Sequence, residues 1–189
     1  MKIKLQSLSL IIALLIMTNL FAQNNYFTKT GKIDFFSTTP MENIEAVNND
    51  VTSFLNIEKN ELVFAVLIKS FKFQKALMQE HFNENYMESD KFPKAQFKGN
   101  IQDFDVANYK KDGEYKVNVK GELTIHGVTK TVVIPGLIIV KAGKISATSK
   151  FKVKCADYDI KIPSVVANKI AEEIDVNVDM KYELYEKKS

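Results

Sequence analysis

The sequence predicts an all-β fold of about eight antiparallel strands with one short helix after the third. Three observations carry this reading. Residues 115–134 read Y-K-V-N-V-K-G-E-L-T-I-H-G-V-T-K-T-V-V-I, two alternating runs joined by a tight His126-Gly127 link. Tyr115, Val117 and Val119 share one face while Lys116, Asn118 and Lys120 share the other, which is the period of a strand with one side buried. The same alternation recurs along most of the chain, and only 74–86 departs from it with helical spacing.

Taken in order, 27–38 is the first expected strand and 44–57 the second, with Asn48-Asn49-Asp50 interrupting its pattern as a bulge or bend. Lys59-Asn60 makes a turn into a third strand at 61–69. There Leu62, Phe64, Val66 and Ile68 share one face and Val63, Ala65 and Leu67 the other, so both sides are expected to be covered. After a change of phase, Phe71 and Phe73 continue the apolar pattern. Over 74–86, Leu77, Met78, His81, Phe82 and Asn85 fall at helix spacing among good helix formers. A helix here lies over the sheet or across an open barrel end, and Ser89-Asp90 and Pro93 stop it.

Residues 94–104 return to a strand, with Phe97 buried beside Gly99 and Ile101. Residues 110–113 read as a hairpin turn in which Gly113 supplies positive φ. Strands at 115–125 and 128–134 follow, Pro135-Gly136 ends the second, and 137–140 is a short strand before a turn at 141–144. Over 144–155, Lys150, Lys152 and Lys154 oppose Phe151, Val153 and Cys155. Residues 157–171 form a loop with one helical turn at 164–169. The last strand, 172–184, sets Ile174, Val176, Val178 and Met180 against Glu173, Asp175, Asn177 and Asp179.

The N-terminus has a different character. Lys2 and Lys4 precede an apolar run, and Leu20-Phe21-Ala22 offers a cleavage site before Gln23, so 1–22 reads as a secretory signal peptide and 23–189 as one domain. The run is too short to span a membrane comfortably, and no later segment looks transmembrane. Removing 1–22 takes Lys2 and Lys4 from the 26 basic residues, leaving them nearly balanced by the 23 acidic ones. That balance argues against a nucleic-acid surface. Cys155 is the one cysteine, so no internal disulfide is available, and its phase with Phe151 and Val153 makes it a buried, inert thiol.

No residue cluster carries chemistry. Glu80-His81 with Glu84 lacks the paired histidines of a zinc site, and two histidines with one distant cysteine make a poor ligand set. Asp157, Asp159, Glu172, Glu173 and Asp175 do not match a calcium loop. His126 has no serine and aspartate partners for a hydrolytic triad; it reads as a turn residue to which Thr124 or Thr129 bonds. Lys150, Lys152 and Lys154 read as a solvated strand face. The chain is not expected to be an enzyme or to need a cofactor or metal.

The apolar faces are the candidate binding residues. They are Phe54 on the second strand, Phe64, Val66 and Ile68 on the third, and Phe71 and Phe73 beyond it. Leu77, His81 and Phe82 come from the helix and Phe97 from the strand after it. Phe151, Val153, Ile174, Val176 and Val178 come from the last two strands. Such a set either packs against itself or lines a tunnel. His81 serves as a head-group contact at a barrel mouth or as a partly buried cap on the core. Strand spacing leaves a packed sandwich and a closed barrel both open.

The run Leu123-Thr124-Ile125-His126-Gly127-Val128-Thr129-Lys130, joined to the upstream 82–99 segment ending F-P-K-A-Q-F-K-G, resembles the YceI-like family over about residues 26–183. The resemblance favours a lipocalin-like, eight-stranded antiparallel β-barrel with a short helix after the third strand. It implies a periplasmic or secreted, noncatalytic protein that binds or carries a long apolar isoprenoid lipid, a polyprenyl phosphate or an isoprenoid quinone, inside the barrel. It also implies a homodimer. Relatives often carry a histidine in the first strands. This chain has only His81 and His126, so a head-group contact from that early position is not carried over. The alternative is a structural or protein-interaction module without a small ligand.

Overall fold

A computed structural model describes residues 25–185; the expected signal segment lies outside the described residues. The strands are β1 (Asn25–Thr38), β2 (Asn43–Asn56), β3 (Glu61–Leu67), β4 (Lys72–Phe73), β5 (Lys94–Gln102), β6 (Gly113–Ile125), β7 (Val128–Lys141), β8 (Lys144–Lys154) and β9 (Glu173–Leu184). Helix α1 (Ala76–His81) runs into a wider π-type turn over Phe82–Tyr86. Strand order is β1-β2-β3-β5-β6-β7-β8-β9, each neighbour antiparallel, and β9 pairs back onto β1. This is a closed eight-stranded barrel; the two-residue β4 adds only Ala46↔Phe73 and Val47↔Lys72 to β2. Among the described residues, no helix is long and apolar enough to cross a membrane.

Glycines set the barrel's tightest approaches. Gly99 and Gly121 stand opposite each other on β5 and β6, and the Phe97 ring lies across both. Gly31 sits at a register shift between β1 and β2, and the Met180 sulfur fills the place its side chain would take. The interruption read at 48–50 is the other side of that irregularity. Asn48 is fully buried; its amide donates to the Leu67 carbonyl at 2.9 Å and accepts from the Asp50 N–H at 2.9 Å. It thereby joins β2 to the end of β3, beyond the last paired residues of that ladder.

The barrel closes at one end. Phe104 packs on Tyr109 and Tyr115 with ring centroids 4.8 and 5.6 Å apart, and the Tyr109 hydroxyl donates to Asn60 at 3.2 Å. Behind them Leu55, Val140, Ile145 and Met180 are at most 2% exposed. The Tyr182 and Ser53 hydroxyls bond at 2.8 Å in the same region. Burial pushes the hydroxyls of Tyr109 and Tyr182 well above the ordinary tyrosine value, and the Ser53 bond opposes this only in part. The unfolded chain therefore loses these protons first. Their contribution to stability is whole below about pH 10 and is lost as pH rises toward the raised folded values. Urea unfolding should show stability falling as pH rises above about pH 10, and Tyr182→Phe should flatten that fall. An unchanged slope in the variant would contradict this assignment.

Three local expectations are corrected. Gly113 does not have positive φ; it opens β6 and lies under the Tyr115 ring, and the preceding 3-10 turn (Val106–Lys110) makes the connection. Pro135-Gly136 does not end a strand. The β7–β8 ladder reaches only Gly136↔Ser149, so the missing Pro135 N–H falls beyond it, and the Pro135 carbonyl accepts from Ser149 Oγ at 2.6 Å. β3 is not covered on both sides: Val63 and Ala65 are half-buried and Leu67 is 45% exposed.

Candidate functional site: an apolar barrel cavity

Opposite the closed end the interior is hollow. A cavity of about 560 Å³ lies under α1 and its π-type turn, and a second of about 120 Å³ lies deeper. Both are walled by Ile33, Val66, Ala95, Leu123 and Phe151, where they meet. Strand alternation produces this lining. Ile33 and Phe35 point inward from β1, Val66 from β3, and Phe151, Val153, Ile174 and Val176 from β8 and β9. Phe35, Phe64, Phe151, Ile174, Val176 and Val178 are only half-buried although they face inward, in contrast to the solid packing at the closed end.

The cover is held by aromatic packing. Phe82 lies 5.0, 5.5 and 5.7 Å from the rings of Phe73, Phe35 and Phe71. Leu77, Met78 and His81 from α1 also face the large cavity, as do Ile160, Ile162, Val166 and Ile170 from the loop after β8. The polar lining collects at this cavity: Lys75 pairs with Glu42 at 3.3 Å, and exposed His81 and Lys169 also line it. The Lys75–Glu42 pair joins the start of α1 to the β1–β2 turn, and at its exposure it is worth roughly 0–1 kcal/mol.

A second fastening lies at the β6–β7 hairpin. His126 and Gly127 take φ of 50° and 76°. His126 Nε2 bonds to Glu88 at 2.8 Å and Nδ1 to the Tyr158 carbonyl at 3.2 Å. Both partners accept, so the ring makes both bonds when both nitrogens carry a proton. Phe92 packs edge-on against the imidazole at 4.6 Å. The residue ties the segment after α1 and the turn after β8 to one hairpin. The expected contact with a threonine is replaced, since Thr124 and Thr129 bond each other at 2.8 Å.

Of the sequence candidates, Phe64, Phe97 and Val178 line the deep cavity and Val66 and Phe151 line both. Ile68, Phe71, Phe73, Leu77, His81, Phe82, Val153, Ile174 and Val176 line the large one. Phe54 lies elsewhere. Its neighbour Leu55 takes the inward phase, so Phe54 points outward against Tyr185, whose ring also meets Phe27. Ile33, Phe35, Leu123 and the loop isoleucines were not among the candidates. The alternation of Ile33 with Phe35 carried a usable signal, whereas the loop residues have no periodicity to show which way they point.

Lys152 pairs with Asp175 at 2.7 Å on the outer face, a bond that raises the lysine pKa, while Lys150 and Lys154 are exposed. Cys155 is buried on the cavity wall, and burial pushes its thiol pKa up. Alkylation of the folded protein should be far slower than that of the unfolded chain and slower still with an apolar ligand bound; equal rates would contradict this placement. Among the described residues no group of three or more His, Cys, Asp and Glu stands where it could hold a metal ion.

The barrel resembles several solved structures. A polyisoprenoid binding domain from Saccharophagus degradans, implicated in plant cell wall breakdown, superposes with a TM-score of 0.74 at 15% identity, covering 86% of this chain and 99% of that one. Burkholderia cenocepacia BcnA gives a TM-score of 0.63 at 15% identity, with coverage of 81% and 96%. A Campylobacter jejuni YCEI protein gives 0.54 at 18% identity, with coverage of 74% and 84%. At these identities the likeness establishes the fold. No curated protein matches the chain. The model of the YceI-like domain matches residues 23–182, nearly the whole barrel and its connections, and the chain belongs to that family.

Proposed function

We propose that this protein is an exported, noncatalytic binder or carrier of a long isoprenoid lipid, with the apolar chain inside the barrel and its polar end at the rim near Lys75, His81 and Lys169. The observation that carries the reading is the apolar hollow running from that rim toward the closed end. Each 100 Å² of chain surface taken out of water contributes about 2.5 kcal/mol before ordering costs. The large cavity falls in the range of roughly 300–1,000 Å³ typical of small-molecule sites. The Saccharophagus degradans structure, described as a polyisoprenoid binding domain, supports the same class of ligand. A polyprenyl phosphate and an isoprenoid quinone both fit this description, since the rim offers cations and hydrogen-bond donors. Periplasmic or secreted location and homodimerisation belong to the same proposal.

The second reading, a protein-interaction module, is favoured by one observation. Phe27, Phe54 and Tyr185 form an outward aromatic cluster, with centroid separations of 5.6 and 6.2 Å to Tyr185. Displacement of an environment-sensitive apolar fluorophore separates the two. A polyprenol or its phosphate should displace the dye from the wild type, and Ala95→Phe, which fills the junction of the two cavities, should abolish uptake while the barrel stays folded. Dye uptake unchanged in that variant would place binding on the outer surface and favour the interaction module.

A further inference from the structure

We infer that Gly136 sets the length of apolar chain the barrel accepts, an inference that rests on the lipid-binding reading above. The deep cavity is the far end of the hollow, beyond the Val66–Leu123–Phe151 junction. Its about 120 Å³ is close to the roughly 150 Å³ apolar cavity that takes one benzene-sized molecule. It therefore takes one isoprene-sized unit, the terminal one, because the polar groups stand at the opposite rim and hold the polar end there.

Gly136 faces this cavity. It stands opposite Val117, which shares its face and lines the same wall, and opposite Ser149 on β8. A side chain at this position meets no obstruction: an added Cβ would lie 3.4 Å from the Thr148 carbonyl oxygen and 3.6 Å from Val117, both ordinary contacts. Its φ is not in the left-handed region, so the backbone accepts any L residue. Gly99 and Gly121 differ, since each is required by a close backbone approach of 2.5 Å or less. The missing side chain at 136 thus leaves space instead of relieving a clash, and a branched residue there would occupy the deep cavity.

The test is equilibrium competition with a series of polyprenols, each one isoprene unit longer than the last, against the wild type, Gly136→Ala and Gly136→Leu. Thermal unfolding accompanies each variant. In the wild type, affinity should rise with length and then level off. In Gly136→Leu it should level off about one unit sooner, with affinity for the longer chains reduced on the order of tenfold and that for shorter chains unchanged. Gly136→Ala, which fits within existing contacts, should fall between and keeps the test decisive should the leucine variant fold poorly. The same length profile in the wild type and folded Gly136→Ala and Gly136→Leu would overturn the role of Gly136 and leave lipid binding standing. Failure of the wild type to bind a polyprenol of any length would overturn both.

Discussion

Gly121→Val should lower the stability of the barrel by about 3 kcal/mol or more, among the largest effects of a single methyl-bearing substitution in this chain. The added Cβ would fall 2.4 Å from the Lys98 carbonyl oxygen, 2.5 Å from the Gly99 Cα and 2.7 Å from the Phe97 ring. Two of those neighbours are backbone, so the β5–β6 ladder must part to make room. For a domain of this size the loss corresponds to a fall in Tm of roughly 6–12 °C. Gly136→Val is the internal control. It lies on the inner face of the strand paired with β6, its nearest contact is 3.4 Å, and it should cost less than about 1 kcal/mol. Melting curves of the two variants test the distinction, and equal losses would contradict it.

Phe82→Ala should free the cover without dismantling the barrel. The ring is the common member of the Phe35–Phe71–Phe73 cluster and fixes the turn after α1 against β1 and β4. A fully buried phenylalanine costs roughly 3–5 kcal/mol to truncate; Phe82 is only half-buried, so about 2 kcal/mol is expected. The diagnostic effect is local. Amide exchange and proteolysis should accelerate between β4 and β5, and an apolar probe should dissociate several-fold faster, while exchange in β6 to β9 stays slow. Acceleration spread evenly over all strands would show that α1 belongs to the barrel's cooperative core instead of covering its mouth.

The strands were legible because each has one wet and one apolar face, and a two-residue period survives almost any tertiary context. The helix was legible for the same reason, since Leu77, Met78, His81 and Phe82 turn one stripe inward. Closure was not. It depends on β9 returning to β1, a pairing between residues far apart in the chain that no local pattern encodes, and only the family resemblance pointed to it. Phe54 shows how a bulge defeats a periodic reading: the register shift around Gly31 and Val51 resets the phase, and Leu55 takes the inward position. Pro135 shows that a strand breaker is tolerated where the neighbouring ladder has already ended. The hollow itself is the hardest feature to read, because an inward phenylalanine looks the same in sequence whether it meets another side chain or open space.

Native mass spectrometry of the protein purified from its own compartment, followed by lipid extraction, tests the central claim most directly. A stoichiometric adduct whose extracted mass is that of an isoprenoid lipid is the expected result, and the mass identifies the head group met by the Lys75–His81–Lys169 rim. A protein that emerges empty and also fails to take up polyprenyl lipids or quinones would contradict the account and leave the outward Phe27–Phe54–Tyr185 cluster as the better guide to function.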